Sequence, residues 1–337
     1  MFNRRNFFKE NLAVGFLLFA LFLGAGNIIF PPELGQQAGE NIVISIIGFL
    51  ITGVGLPLLA IVTVAKNGGD LQILANRVGH RFSIIFTSIV YLAIGPLFAL
   101  PRTGAVSYSI GVHPHLSGAA QESWLPLFIT TLIFFSITIY LAYNPTKLVD
   151  RIGKVLTPAL LIVISLLAVK AFITPMGEIG EAKGDYVTTA FGESFVQGYL
   201  TMDVLGALVF GIVILQAIQM RGVTQRKEQV KITVFAGIIA AIGLAFVYIS
   251  LAYIGVTSPG AVGYLEDGGA ILAASSKVLF GELGSIILSA TIILACLTTA
   301  VGLLSANASF FAKIFPKVSY QTFLMIFTVF SFGISNV

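Results

Sequence analysis

The first apolar segment of the chain, residues 12–38, is interrupted near its middle by Gly24, Ala25, Gly26 and Asn27. Glycine destabilises a helix interior, and an unpaired backbone amide or carbonyl group in hydrocarbon costs several kcal/mol. Such an interruption is stable only where protein groups or a bound polar ligand satisfy the freed backbone. Two interpretations follow: the glycines let two helices pack closely, or a discontinuous helix forms half of a binding site.

The composition of the chain places this segment in a membrane. Apolar residues make up 57% of the chain and charged residues only 10%, and the mean hydropathy is +0.96. A membrane-spanning helix needs about 20 apolar residues. Cys296 is the single cysteine of the sequence, so no disulfide bond can form within this sequence. The apolar runs predict nine helices, at residues 12–38, 41–65, 82–110, 124–143, 155–174, 199–220, 231–256, 283–311 and 320–337.

Lysine and arginine are concentrated in alternate connections between these helices. With the N-terminus in the cytoplasm, fifteen of the nineteen basic residues fall on the cytoplasmic side, as the positive-inside rule expects. The other side is acidic, with Glu178, Glu181, Asp185 and Glu193 in one connection. The charge pattern therefore predicts a multi-pass protein of the cell (inner) membrane with a cytoplasmic N-terminus. The fifteen residues are Arg4, Arg5, Lys9, Lys66, Arg77, Arg81, Lys147, Arg151, Lys154, Arg221, Arg226, Lys227, Lys231, Lys313 and Lys317.

A second interruption is predicted in the sixth helix, where Gly206 and Gly211 follow Asp203. Helices one and six are five helices apart, which is the pattern of two five-helix halves related as an inverted repeat. We therefore predict an all-α, polytopic membrane fold with discontinuous helices one and six. Its parts are a first repeat at 1–174, an extracellular connection at 175–198 and a second repeat at 199–337.

The two interruptions suit the two charged ends of an amino acid. A carboxylate binds backbone N–H groups at a helix N-terminus, where the helix dipole is positive, and helix one restarts at Gly26. The C-terminal ends of the outer half-helices offer carbonyl oxygens to an ammonium group, so no central lysine or arginine is required. The candidate substrate-binding residues are Gly24, Ala25, Gly26, Asn27, Ile28, Gly206, Phe210 and Gly211.

Helix eight contains a candidate site for a sodium ion, which requires several oxygen ligands. The hydroxyl groups of Thr298 and Thr299 can converge with the carbonyl of Ala295, one turn earlier, and Asn27 offers an amide oxygen at the first interruption. Threonines in membrane helices also bond to carbonyls of their own helix, and that alternative stays open. The three histidines all fall in predicted loops, so no metal other than sodium is expected.

Asp203 and Arg102 are the two ionisable residues with a candidate role in gating or coupling. A carboxylate within a membrane is a functional-site hypothesis by default, and a solvated or structural role is the alternative for Asp203. Arg102 is about 30 Å of helix away from Arg81 at 1.5 Å per residue. That position is near the outer end of its span and favours an interfacial or salt-bridged arginine over an outer gate.

Catalytic motifs are absent from the sequence. It contains no zinc-protease, esterase or nucleotide-binding signature. We therefore predict that the chain is not an enzyme.

Several stretches resemble the bacterial branched-chain amino acid:cation symporters. These are residues 19–32 followed by Leu34 and Gly35, residues 95–103, residues 199–211 and residues 330–336. The resemblance runs along the whole chain. It implies a LeuT-like fold and sodium-coupled import of leucine, isoleucine and valine by alternating access around a midplane site.

The resemblance also implies a fuller sodium site. Residues 23–27 are similar to the unwound segment of helix one in LeuT-type transporters, and Ala295, Thr298 and Thr299 match the spacing of their helix-eight sodium ligands. On that basis the carbonyl groups of Ala20 and Leu23 complete the site. The implied partners are the amino acid, sodium as coupling ion and the lipid bilayer, with no other cofactor, no nucleic acid and no obligatory protein partner.

Two alternatives to sodium-coupled transport stay open. Proton coupling is one, because Asp203 can titrate. A truncated amino-acid-binding membrane protein that does not transport is the other, because members of this family continue past the point in helix nine where this chain stops. The second half of the repeat is therefore expected to be incomplete.

Overall fold

The computed structural model describes residues 4–144 and 147–337, and for residues 4–10 and 25 it describes the backbone only. Every regular element in these residues is helical. Seven segments of this part of the chain are long and apolar enough to cross a membrane. The first predicted span is divided at its interruption, and the ninth has only 16 helical residues. The prediction of an all-α polytopic protein is confirmed.

Ten α-helices form the described part of the chain up to residue 174. Short π-helical stretches join α3 to α4 and α6 to α7, and a third leads into α10. The helices are α1 (Arg4–Phe22), α2 (Ala25–Ala38), α3 (Ile42–Leu50), α4 (Leu56–Lys66), α5 (Leu71–Ala75), α6 (His80–Leu92), α7 (Ala99–Ser109), α8 (Ala119–Glu122), α9 (Leu125–Ala142) and α10 (Thr157–Ile173).

Seven further helices follow. The longest two, α13 and α16, have 32 and 33 residues. The helices are α11 (Tyr186–Leu200), α12 (Asp203–Gln219), α13 (Arg226–Thr257), α14 (Pro259–Val262), α15 (Gly268–Phe280), α16 (Glu282–Ile314) and α17 (Tyr320–Ser335).

The sixth span begins earlier than the apolar pattern predicts. Helix α11 occupies the second half of the connection predicted at 175–198, so the non-helical part of that connection ends before Tyr186. The sequence pattern missed α11 because glycines and Glu193 lower its apolar content. It packs instead through small buried residues on one face, which allow a close approach to α3. Those residues are Ala190, Ser194 and Gly198.

Three spans are interrupted rather than two. The first break lies at residues 23–24, between α1 and α2, as predicted. The second break lies at Thr201 and Met202, between α11 and α12, and Met202 has a left-handed φ of 63°. This break comes about one turn before Gly206, the first of the two glycines from which it was predicted. The third break, between α6 and α7, was not predicted. There Gly95 has non-helical backbone angles, and Pro96 has no backbone N–H to donate to the helix.

Helix α13 holds the two halves of the first span in place. It packs along both α1 and α2. A β-carbon on Gly35 of α2 would lie 2.2 Å from the carbonyl oxygen of Ala252, and one on Gly255 would lie 2.1 Å from that of Pro32. The two backbones therefore touch at positions where only glycine fits, and α13 bridges the break in the first span.

Candidate functional site

A small cavity of about 50 Å³ lies where the three interrupted spans meet α16. The cavity has one apolar wall and one polar wall. The apolar wall comprises Leu21, Phe22, Ile94, Phe210 and Leu303. The polar lining comprises Asn27, Arg102, Thr103, Thr201, Asp203 and Thr299, together with the backbone of Gly24, Gly26 and Gly206.

Asn27 stabilises the break in the first span. Gly24 is extended, with φ −103° and ψ −169°, and its N–H donates to Asn27 Oδ1 at 3.1 Å. This is the reciprocal half of a capping box, in which the third residue of a helix reaches back to the residue before it. The amide oxygen that the sequence offered to sodium therefore accepts a hydrogen bond from the backbone.

The amide nitrogen of Asn27 points to the second break. Asn27 Nδ2 donates to Asp203 Oδ2 at 2.5 Å and also to the hydroxyl of Tyr248, which itself donates to Asp203 Oδ2 at 2.9 Å. Asp203 is the first residue of α12 and only 5% exposed. Its burial contradicts the solvated alternative, because the break at Thr201 and Met202 brings the start of α12 to the cavity.

Beside the cavity, four oxygen atoms from α1 and α16 form a cluster. The hydroxyl of Thr298 is 3.0 Å from the carbonyl oxygens of both Ala20 and Ala295, and the hydroxyl of Thr299 is 3.2 Å from that of Ala20. All four residues are less than one-tenth exposed. The bond from Thr298 to Ala295 is the within-helix alternative, but both hydroxyls also reach across to α1. We call Ala20, Ala295, Thr298 and Thr299 the oxygen cluster.

The oxygen cluster adjoins the cavity directly. A β-carbon on Gly24 would lie 3.3 Å from Thr299 Cγ2, and Thr299 also lines the cavity. Leu23 lies fully buried in the first break, where its N–H donates to Phe19 O at 2.9 Å. The break of the first span therefore contacts both the cluster and the cavity.

Arg102 lines the cavity. It is the fourth residue of α7, after the third break, and its guanidinium carbon is 5.8 Å from the centre of the Phe30 ring. In the described part of the chain it forms no salt bridge. The salt-bridged alternative is therefore wrong, and the break between α6 and α7 places the side chain on the cavity.

Two predicted substrate residues lie elsewhere. Ile28 is buried in the core with 1% exposure. Gly211 packs against α4, where a β-carbon would lie 2.4 Å from Val64 Cγ1. The side chain of Ala25 lies outside the described residues. The other predicted substrate residues, Gly24, Gly26, Asn27, Gly206 and Phe210, all line the cavity.

Sequence reasoning missed Tyr248 and the contribution of the third span. Tyr248 is fully buried in α13 and is 221 positions from Asn27, so no local pattern marks it. The third span did carry a signal, since Gly95 followed by Pro96 is a helix-breaking pair.

Among residues 4–144 and 147–337, no group of three or more His, Cys, Asp or Glu side chains could hold a metal ion.

Comparison with known proteins identifies the family. The model of the branched-chain amino acid transport protein family matches residues 8–337. The chain is 50% identical over 328 residues to branched-chain amino acid permease BraB of Bacillus subtilis, which covers 97% of this chain and 73% of that permease. The chain belongs to the branched-chain amino acid transport protein family.

Other comparisons agree with this membership. The branched-chain amino acid transport system 2 carrier protein of Pseudomonas aeruginosa is 49% identical over 325 residues, covering 96% of this chain and 73% of the carrier. Members of the family are named permeases and carriers, which confirms that the chain is a membrane transport protein and not an enzyme.

The fold is that of LeuT-like transporters. The crystal structure of MhsT in complex with L-phenylalanine superposes with a TM-score of 0.67, covering 96% of this chain and 78% of MhsT. The two sequences are 19% identical, so the likeness concerns the fold alone. It confirms the LeuT-like fold that the family resemblance implied. The breaks between α1 and α2 and between α11 and α12 confirm the discontinuous first and sixth spans that the glycine pattern predicted.

Proposed function

We propose that this protein imports leucine, isoleucine or valine across the cell membrane by sodium-coupled symport. The amino acid binds in the cavity, and sodium binds at the oxygen cluster. The observation that carries the proposal is that the break in the first span contacts both the cavity and the oxygen cluster. The carbonyl oxygen of Ala20 belongs to the cluster, and Gly24, four residues later, lines the cavity. Both ligands therefore act on the same short stretch of backbone.

The apolar wall of the cavity suits a branched aliphatic side chain. Phe22 and Phe210 meet edge to face with their ring centres 5.9 Å apart, and Leu21, Ile94 and Leu303 continue this wall. Burial of apolar surface stabilises a bound ligand by about 25 cal/mol per Å². Asn27, Arg102 and Asp203 supply polar groups to the same lining, so the cavity offers partners to the charged end of an amino acid as well as to its side chain.

The chemistry of the oxygen cluster supports sodium as the coupling ion. Hydroxyl and carbonyl oxygens are the ligand type that hard cations prefer, and Leu23 adds a carbonyl at the same break. Proton coupling is the second candidate, because Asp203 is a buried carboxylate on the cavity. In either case we propose that the side with most lysine and arginine faces the cytoplasm.

The test of the proposed function is uptake of tritiated leucine into proteoliposomes. We expect an inward sodium gradient to drive accumulation, and choline in place of sodium to abolish it. Accumulation driven equally well by a pH gradient without sodium would favour the proton-coupled alternative. Sodium-dependent leucine binding without uptake would indicate an amino-acid-binding protein that does not transport, and no leucine binding would contradict the proposal altogether.

The orientation is tested by introduced cysteines, because the native Cys296 is buried. Asn76 and Gln121 are exposed residues of connections expected on opposite sides. In intact cells we expect a membrane-impermeant thiol reagent to label Gln121→Cys but not Asn76→Cys. The reverse labelling pattern would contradict a cytoplasmic N-terminus.

A further inference from the structure

Two ionisable side chains of opposite charge line the cavity, Asp203 and Arg102. Neither forms a salt bridge to any residue in the described part of the chain. A buried charge is costly unless it is hydrogen-bonded and paired with an opposite charge. Asp203 is buried and Arg102 is half-buried, and neither charge is paired with an opposite charge in the described part of the chain. A ligand in the cavity can supply the missing charges.

The surroundings of Asp203 support a negative charge without neutralising it. Its Oδ2 accepts hydrogen bonds from Asn27 and Tyr248, and both donors are uncharged groups. Its backbone N–H is 3.5 Å from the Thr201 hydroxyl, and its position at the start of α12 is favourable for an anion. These contacts fix the orientation of the carboxylate, and its second oxygen retains capacity to accept from a cation.

Arg102 lies on the side of the cavity where the second half of the first span begins. One of its terminal nitrogens, Nη1, is 3.9 Å from the position of a β-carbon on Gly26. The first-turn N–H groups of α2 start at the same place and lack partners within their own helix. A guanidinium group beside free N–H groups is an arrangement that binds a carboxylate, since arginine donates two parallel hydrogen bonds to it.

We propose that Asp203 binds the ammonium group of the amino acid and that Arg102 binds its carboxylate. This inference rests on the proposed function and specifies how the zwitterion is recognised. It differs from the expectation based on sequence, in which backbone groups alone held both charged ends. The two side chains orient the amino acid so that its apolar side chain meets Phe22 and Phe210.

The test measures binding of three ligands that differ only in their charged groups. Leucine carries both charges, 4-methylpentanoate lacks the ammonium group, and 3-methylbutylamine lacks the carboxylate. Affinities are measured on the purified full chain at saturating sodium for the wild type, Asp203→Asn and Arg102→Gln. Asp267→Asn and Arg81→Gln remove one exposed charge each away from the cavity and serve as matched controls.

Each variant should lose discrimination for one charged group only. We expect the preference of the wild type for leucine over 4-methylpentanoate to fall at least about tenfold in Asp203→Asn. Its preference for leucine over 3-methylbutylamine should fall by a similar factor in Arg102→Gln. The control variants should leave both preferences unchanged. Asp203→Glu keeps the charge and should retain most of its preference, whereas Arg102→Lys keeps the charge without the two parallel donors and should retain only part of its preference. These two variants also cover the case in which a neutral variant fails to fold.

Several outcomes would overturn the inference. If leucine binds more weakly to Asp203→Asn but the preference over 4-methylpentanoate is unchanged, Asp203 supports the structure and does not bind the ammonium group. If that preference is unchanged and the sodium dependence of binding is altered, Asp203 holds a free cation instead. If the wild type binds no leucine at all, the proposed function fails, and this result is distinct from a failure of the charge assignment.

Discussion

The oxygen cluster can be tested by removing one hydroxyl group while keeping the shape of its side chain. In Thr298→Val, the cluster loses the oxygen that is 3.0 Å from both Ala20 O and Ala295 O. A hydrogen bond or ligand contact with a charged group contributes about 1.5–3 kcal/mol. At 1.4 kcal/mol per factor of ten, we expect the sodium concentration for half-maximal leucine binding to rise about 10- to 150-fold.

The chain provides a matched control on the same helix. Thr291 is also buried, and its hydroxyl donates to Ile287 O at 2.8 Å, within α16. Thr291→Val therefore loses a hydrogen bond of the same kind without touching the oxygen cluster. In sodium-free buffer both variants should lose about 0.5–1.5 kcal/mol of unfolding free energy. Only Thr298→Val should lose the extra thermal stability that sodium gives to the wild type.

The assay is a sodium titration of tritiated leucine binding, repeated as a titration of the unfolding temperature. Thr298→Ser keeps the hydroxyl and should stay within a few-fold of the wild type. An unchanged sodium titration in Thr298→Val would refute the assignment of sodium to the cluster. So would an equal shift in Thr291→Val, because the effect would then reflect a general weakening of α16.

Three further predictions concern the framework of the site. A β-carbon on Gly95 would lie 2.3 Å from Asn307 Nδ2, so Gly95→Ala should cost about 1–3 kcal/mol of stability in thermal unfolding, and Asn307→Ala should restore part of it. Lys313 Nζ pairs at 2.5 Å with Asp70, which is buried whereas the lysine is half exposed. Lys313→Met, which leaves a buried charge unpaired, should therefore destabilise the protein more than Asp70→Asn does; the opposite order would contradict this argument. Tyr248→Phe removes a 2.9 Å hydrogen bond to the carboxylate of Asp203 and should lower the free energy of unfolding by about 1.5–3 kcal/mol. An unchanged free energy of unfolding would show that the Asp203 carboxylate does not depend on the Tyr248 hydroxyl.

The features that could be predicted from the sequence are those with a local cause. Gly24 and Gly26 weaken a helix, so these two neighbouring residues suffice to mark the first break. Thr298 and Thr299 are adjacent and one turn from Ala295, so their convergence within α16 is also a local property. The approximate positions of most apolar spans follow in the same way from the apolar runs.

The features that could not be predicted depend on contacts between distant parts of the chain. The second break lies at Met202, which adopts a left-handed conformation without being glycine; such a conformation is unfavourable in isolation and requires tertiary contacts to hold it. Gly206 and Gly211 suggested the break but lie within α12, where Gly211 allows α4 to approach. The hydrogen bond between Asn27 and Asp203 joins residues 176 positions apart. No spacing in the sequence encodes that pair.

The shared backbone of the two proposed sites has a thermodynamic consequence. Ala20 belongs to the oxygen cluster, Gly24 and Asn27 line the cavity, and Thr299 belongs to both. If sodium raises the affinity for leucine by a given factor, leucine must raise the affinity for sodium by the same factor. Typical coupling free energies of about 1–3 kcal/mol correspond to factors of roughly 5 to 150. We expect titrations in both directions to give one common factor in this range, and Thr299→Val to reduce it. A factor of one in both directions would mean that the cluster and the cavity are not energetically connected, and sodium bound there could not drive transport.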